Sequence, residues 1–159
     1  MDDAICFQVS GLPMEPFASL FAMSDEELAL QNARRYIADA KPGFPCRVSL
    51  VDAEPGETVI LLPYAHLAID GPYHSSGPIF VRANAKPAKL KVNELPEVVK
   101  ERLISVRAYS ADSLMLASAI VEGRNLDRQI VEFFTDDKVA YLHLHNAKPG
   151  CFSCRVDRA

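Results

Sequence analysis

The chain of 159 residues is 49% hydrophobic and 24% charged, a composition typical of one folded domain and unlike a disordered chain. Its 17 basic and 21 acidic residues give a net charge of −4, without the clustered basic residues that nucleic-acid binding requires. No apolar run reaches the roughly 20 residues of a membrane helix, and the acidic N-terminus does not resemble a signal peptide. We therefore expect a cytoplasmic protein whose partners include neither nucleic acid nor a membrane.

Hydrophobic patterning along the chain predicts many short strands and a few short helices. Strands are predicted at residues 5–9, 35–38, 46–50, 58–64, 79–82, 104–109, 115–121, 139–145 and 152–156. Helices are predicted at residues 16–21, 24–33, 96–103 and 126–134. Ser24 and Glu27 form a capping box, and Asn125 is the predicted cap of the last helix. Because strands and helices do not alternate regularly, the sequence predicts one α+β domain over residues 1–159, built mainly of antiparallel sheet.

Three segments between these elements have their own predictions. The turn signal at Pro55-Gly56 predicts a hairpin that joins residues 46–50 to residues 58–64. Residues 66–78 are rich in Gly, Ser, Asp and Pro, which is typical of a loop. Residues 115–121 fit a helix as well as a strand.

One segment of the sequence occurs twice. Residues 40–48 read AKPGFPCRV and residues 147–156 read AKPGCFSCRV, so eight of nine aligned positions are identical once Cys151 is treated as an insertion. One interpretation is an internal pseudo-twofold repeat of residues 24–50 and 125–158, with the same hairpin in both copies and Cys46 near Cys154. The other interpretation is two similar turns in unrelated places.

Four further motifs carry a family resemblance. They lie in residues 43–50, 72–82, 107–109 and 145–154. With these motifs the chain resembles an uncharacterised bacterial family, the domain of unknown function numbered twelve hundred and three. The resemblance covers nearly the whole chain. It implies a single-domain bacterial protein, and it implies no activity.

The C-terminal His and Cys residues suggest a metal or thiol site. His143 and His145 are two apart on a predicted strand, so they share a face, and Cys151 and Cys154 follow closely. Two histidines and two cysteines make a zinc ligand set, in which Cys46 could replace one member through the repeat. The alternatives are a redox-active Cys pair, a nucleophilic pair of Cys46 or Cys151 with His145, or ordinary core residues. Zinc is the single cofactor that this pattern suggests.

Strand arginines and the polar loop suggest a different site. Arg47, Arg82, Arg107 and Arg155 each lie on a predicted strand, and arginines that converge bind carboxylates or phosphates bidentately. The loop would add ligand-binding side chains from His66, Tyr73, His74 and Ser76. The first function hypothesis is thus a binding protein or enzyme for a small anionic molecule. The alternatives are the metal or thiol site and an interaction module without an active site; enzymatic activity, ligand and oligomeric state stay open.

Overall fold

Two antiparallel sheets make up the framework of the computed structural model, which describes residues 3–159. The strands are β1 (Phe7–Ser10), β2 (Arg34–Ile37), β3 (Thr58–Leu67), β4 (Ser75–Arg82), β5 (Leu103–Tyr109), β6 (Met115–Glu122), β7 (Tyr141–Asn146) and β8 (Phe152–Arg158). The larger sheet has the order β1-β8-β7-β5-β6, and the smaller sheet has the order β2-β3-β4. The α-helices are α1 (Glu15–Ala18), α2 (Asp25–Leu30), α3 (Glu97–Lys100) and α4 (Leu126–Phe134). In the part of the chain that is described, no helix has the length and apolarity to cross a membrane.

Strand β7 is buried on both of its faces, and this positions the site. Leu142 and Leu144 point into the main core, which they share with Ile130 and Phe134 of α4. The alternate residues of β7 point the other way, toward side chains of β3 in the smaller sheet. A strand that is covered on both faces brings polar side chains into a dry environment, where they need partners.

A second core fills the space between the smaller sheet and the N-terminal helices. Phe17, Leu20 and Leu28 pack there against Ile60 and Val81 of the sheet. Leu28 lies in α2, which begins at the predicted cap: the Ser24 hydroxyl accepts a hydrogen bond from the Glu27 amide at 3.1 Å. Helix α2 is short, and Leu28 on its apolar face is the residue that it buries in this core.

Most of the predicted elements are confirmed, and with them the α+β class. Helix α4 has the predicted bounds, although the Asn125 side chain makes no capping hydrogen bond. Residues 115–122 form strand β6 and not a helix.

The predicted strand at residues 46–50 is wrong. Cys46 makes only an isolated bridge to Phe80, and the chain then turns, with the Leu50 amide donating to the Cys46 carbonyl at 3.0 Å. Leu50 has a φ of 56°, a left-handed conformation that a regular strand does not contain. Strand β3 therefore pairs with β2 and β4 instead of with residues 46–50.

The sequence repeat does not form a repeated hairpin. Its second copy forms the turn between β7 and β8, which pair directly, whereas its first copy runs into the turn described above. The two copies nevertheless meet, because Arg47 of the first copy donates to the Phe152 carbonyl of the second at 2.7 Å. The similarity of the sequences thus accompanies a contact between the segments and not a shared backbone course.

Candidate functional site

Three histidines from two sheets lie together between the layers. His143 and His145 lie on the face of β7 that points away from the main core, as their spacing predicts. His66 reaches them from β3, which extends through the predicted start of the 66–78 loop to Leu67. One ring nitrogen of each histidine lies within 4.8 Å of the corresponding atoms of the other two. That spacing is close enough for the three rings to share one ligand.

The histidine rings have nitrogen atoms that lack partners. Among the described residues, His66 Nε2, His143 Nδ1 and His145 Nε2 are buried and make no hydrogen bond. His145 Nδ1 lies 3.0 Å from the Gly150 carbonyl oxygen. Because a carbonyl can only accept, Nδ1 carries the proton, and Nε2 is left with a free lone pair. A backbone carbonyl that orients an imidazole in this way is a common partner of metal-ligating histidines.

Burial keeps these histidines neutral at neutral pH. His143 is 2% exposed and His145 is 1% exposed. Burial, helped by the neighbouring imidazoles, lowers the pKa of His143 to about 3. Burial likewise lowers the pKa of His145 to about 4, and it lowers the pKa of His66 together with the charge of Arg107. Neutral imidazoles are the form that binds metal ions.

Aromatic rings hold the histidines in place. Phe152 of β8 stacks on His66 with ring centroids 5.2 Å apart and an interplanar angle of 4°. It also meets His143 edge to face at 5.0 Å. Tyr109 and Tyr141 also lie against His143, with ring centroids at 5.4 Å and 5.2 Å. This frame restricts the rotation of the imidazoles and keeps the walls of the site apolar.

Arg107 brings a positive charge to the same surface. It lies on β5 directly opposite His143 in the strand pairing, and Ser105 lies opposite His145. Paired residues of neighbouring strands point to the same face, so the guanidinium and the histidines share one side of the sheet. Arg107 donates to the Ser105 hydroxyl at 3.4 Å, and it pairs with no carboxylate among residues 3–159.

The structure does not bring the four predicted arginines together. Arg82 is paired with Glu57 at 2.6 Å, and the hydrogen bonds from Arg82 lower the pKa of that carboxyl. Arg155 is paired with Asp157 at 2.9 Å. These two guanidinium groups already have counter-charges, and Arg47 is buried elsewhere. Arg155 lies opposite His143 on β8, as Arg107 does on β5, but its charge is paired with Asp157. Among the described residues, Arg107 is therefore the arginine beside the histidines that has no carboxylate partner.

The predicted ligand-binding residues of the loop do not lie together in the structure. His66 belongs to β3 and joins the histidines. His74 is exposed and its Nδ1 lies 2.8 Å from the Ile69 carbonyl oxygen, within the loop. Tyr73 meets Tyr109 edge to face at 6.0 Å, at the margin of the aromatic frame. Ser76 is an exposed residue of β4.

The cysteines of the predicted zinc set lie apart from the histidine cluster. Cys154 points into the main core, where burial raises the pKa of its thiol to about 12 and keeps it protonated. Cys46 lies in the core beneath the smaller sheet. Cys151 faces Arg47, with Sγ 3.1 Å from Nη2. A β-bulge explains the separation. Phe152 lies opposite His145 and Cys154 lies opposite Leu144, so the extra residue Ser153 interrupts the alternation of β8 and moves Cys154 to the core face.

The sequence pattern predicts a loop at His66 and therefore does not predict its place beside β7. The run TVILLPYAHL continues the strand pattern beyond Pro63, with Tyr64 and His66 on one face, and this signal could have extended the strand. The pairing of His66 with β7 had no local signal, because it depends on how the two sheets stack.

The family of the chain follows from a comparison with known proteins. The family described as "Protein of unknown function (DUF1203)" matches residues 43–158, and the chain belongs to it. The matched range contains all three histidines, Arg107 and Cys151. No curated protein and no solved structure matches the chain.

Proposed function

We propose that this DUF1203 protein binds a divalent metal ion, zinc by its ligand chemistry, through His66, His143 and His145. The bound ion, together with Arg107, would then hold a small anionic molecule. The observation that carries the proposal is a group of three neutral imidazoles that lie close together and each have a buried nitrogen without a partner. Buried polar atoms without partners are rare in proteins and call for a ligand.

The donor set fits zinc and related transition ions. Imidazole nitrogen is a preferred ligand of Zn²⁺, at about 2.0–2.1 Å, which puts the nitrogens of a tetrahedral site about 3.3 Å apart. One nitrogen from each ring lies within 4.8 Å of the other two, so side-chain rotations that bring them up to about 1.5 Å closer would complete the set. Three protein ligands leave one coordination position open, as in catalytic zinc sites.

Arg107 makes an anion the best occupant of that open position. Metal and guanidinium would place two positive centres on one face of the sheet, and a small oxyanion could bridge them. The metal would polarise the bound molecule as a Lewis acid. Arg107 would orient it, and the aromatic frame of Phe152, Tyr109 and Tyr141 would limit the access of water.

We infer a bacterial cytoplasmic location for this function. The four cysteines of the chain are all free thiols in the structure, and this includes Cys151, which is partly exposed to solvent. Free thiols persist in the reducing cytoplasm, where disulfides are rare. The location is a proposal that fractionation of the native host would test.

Metal titration of the purified, chelator-treated protein tests the proposal. We expect one Zn²⁺ or Co²⁺ ion per chain, and we expect His66→Ala, His143→Ala and His145→Ala each to weaken binding at least about 100-fold. His74→Ala is the matched control, because His74 is the exposed fourth histidine of the chain and should leave affinity unchanged. A protein that binds no stoichiometric metal, or whose affinity survives the loss of His66, would contradict the proposal.

The anion is tested separately, with phosphate and bicarbonate added to the Co²⁺-loaded protein. Both anions should change its visible absorption spectrum if they enter the open coordination position. Arg107→Met should weaken this response at least about tenfold without changing the metal stoichiometry. Arg128→Met, an exposed substitution on α4, is the control. Equal anion affinity in the wild type and in Arg107→Met would show that Arg107 does not bind the anion, and it would not contradict the metal site.

A further inference from the structure

A cavity of about 770 Å³ has a lining that includes none of the three histidines. Its lining includes Arg47, Asn146 at the end of β7 and Cys151 in the connection between β7 and β8. Leu61 and Phe80 of the smaller sheet contribute apolar wall. The volume and the mainly apolar walls with a few polar groups are typical of a small-molecule site.

Arg47 is a buried cation without a carboxylate. Its side chain is almost wholly enclosed, with 2% of the residue exposed. The guanidinium donates to the carbonyls of Pro45 and Phe152 and to Cys151 Sγ, the last at 3.1 Å. No Asp or Glu among the described residues forms an ion pair with it. Guanidinium groups stay protonated in proteins, and a buried charge needs a counter-charge.

Cys151 is the group that can supply that counter-charge. Its sulfur lies beside two donors, the Arg47 guanidinium and the Asn146 amide nitrogen, which is 3.7 Å away. A neutral thiol is a weak acceptor, whereas a thiolate accepts well from both. Cys151 is partly exposed and lines the cavity, so a molecule in the cavity can reach the sulfur.

Asn146 is a second, independent sign of a ligand. It is 5% exposed, it lines the cavity, and its Oδ1 makes no hydrogen bond within the described part of the chain. A buried amide oxygen without a donor is costly, and a rotation of the side chain that turns Oδ1 toward the cavity would let a ligand N–H group satisfy it.

We propose that Cys151 is a nucleophilic thiolate, paired with Arg47, that reacts with a small apolar electrophile bound in this cavity through an N–H group to Asn146 Oδ1. With an alkyl halide the sulfur attacks carbon, the S–C bond forms, the C–X bond breaks, and the halide leaves with the bonding electron pair. No proton is released, because the sulfur is already deprotonated. The site is distinct from the metal site, since none of the three histidines lines the cavity and Cys151 is not part of the histidine cluster.

Alkylation by iodoacetanilide at pH 7 tests the proposal, because this reagent has an apolar ring and an amide N–H. Peptide mass spectrometry reports the rate at Cys151 and at Cys6, the other partly exposed thiol. An ordinary thiol is only about 3% ionised at pH 7, and a thiolate stabilised by a cation is somewhat less nucleophilic, so we expect Cys151 to react about tenfold faster than Cys6. The rate should saturate with reagent concentration. Equal rates at the two cysteines would overturn the thiolate assignment without any variant.

Further variants test the role of the Arg47 charge separately from the role of the cavity. Arg47→Met should slow alkylation of Cys151 about tenfold and Arg47→Lys much less, with circular dichroism to establish that each variant folds. Leu61→Trp narrows the cavity, so it should abolish saturation by iodoacetanilide while the rate with the smaller iodoacetamide is unchanged. Cys151→Ser should remove the ultraviolet absorbance of a thiolate at neutral pH. Persistence of that absorbance in Cys151→Ser, or saturation that survives Leu61→Trp, would overturn the site.

Discussion

Acidification should destabilise the metal-free protein at a pH where its carboxylates are still ionised. In an unfolded chain a histidine has a pKa of about 6.5, whereas burial lowers the pKa of His143 to about 3 and that of His145 to about 4. Below pH 6.5 these histidines are therefore protonated in the unfolded state but stay neutral in the folded state, so the free energy of unfolding falls as the pH falls. Between pH 7 and pH 5 each histidine accounts for about 2 kcal/mol, so the two together remove about 4 kcal/mol from the free energy of unfolding.

Urea unfolding in the presence of a chelator, at pH 7, 6 and 5, measures this loss. His143→Gln should remove about half of it, since one of the two buried imidazoles is gone. His74→Gln is the matched control, because an exposed histidine has no reason to change the slope. Identical unfolding free energies at pH 7 and pH 5, or the same pH dependence in His143→Gln as in the wild type, would refute the reasoning.

Two substitutions away from the candidate sites should destabilise the fold for separate reasons. Gly123→Ala would put a Cβ 1.8 Å from the Val99 carbonyl oxygen, a backbone atom that cannot move aside. We therefore expect the free energy of unfolding in urea to fall by at least about 2 kcal/mol. A fall below roughly 0.5 kcal/mol, the size expected of a surface substitution, would contradict this. Asp52→Asn should cost about 3 kcal/mol, because the nearly buried Asp52 accepts two hydrogen bonds from Arg102, at 2.6 Å and 3.0 Å. Asp25→Asn, at an exposed ion pair, should cost less than about 1 kcal/mol in the same assay, and equal costs at the two positions would show that burial does not set the energy.

The sequence was sufficient wherever a local pattern decides the structure. The bounds of α4 follow from its amphipathic period, and the start of α2 follows from the hydrogen bond that Ser24 can make to Glu27. The placement of His143 and His145 on one face follows from the two-residue period of a strand. These features depend on residues that are neighbours in the chain, so the sequence alone determines them.

The stacking of the sheets decided which residues complete each site. His66 joins His143 and His145 because β3 packs on the face of β7 that points away from the main core, and no period within residues 58–67 encodes that packing. Cys154 leaves the predicted metal set because its position on β8 points into the main core. Arg47 contacts Cys151 because the segment predicted as a strand turns instead. The turn brings the Arg47 side chain to a partner that lies 104 residues away in the sequence. Contacts between residues so distant in the chain depend on how whole surfaces bury one another, and for that reason only the tertiary structure settled them.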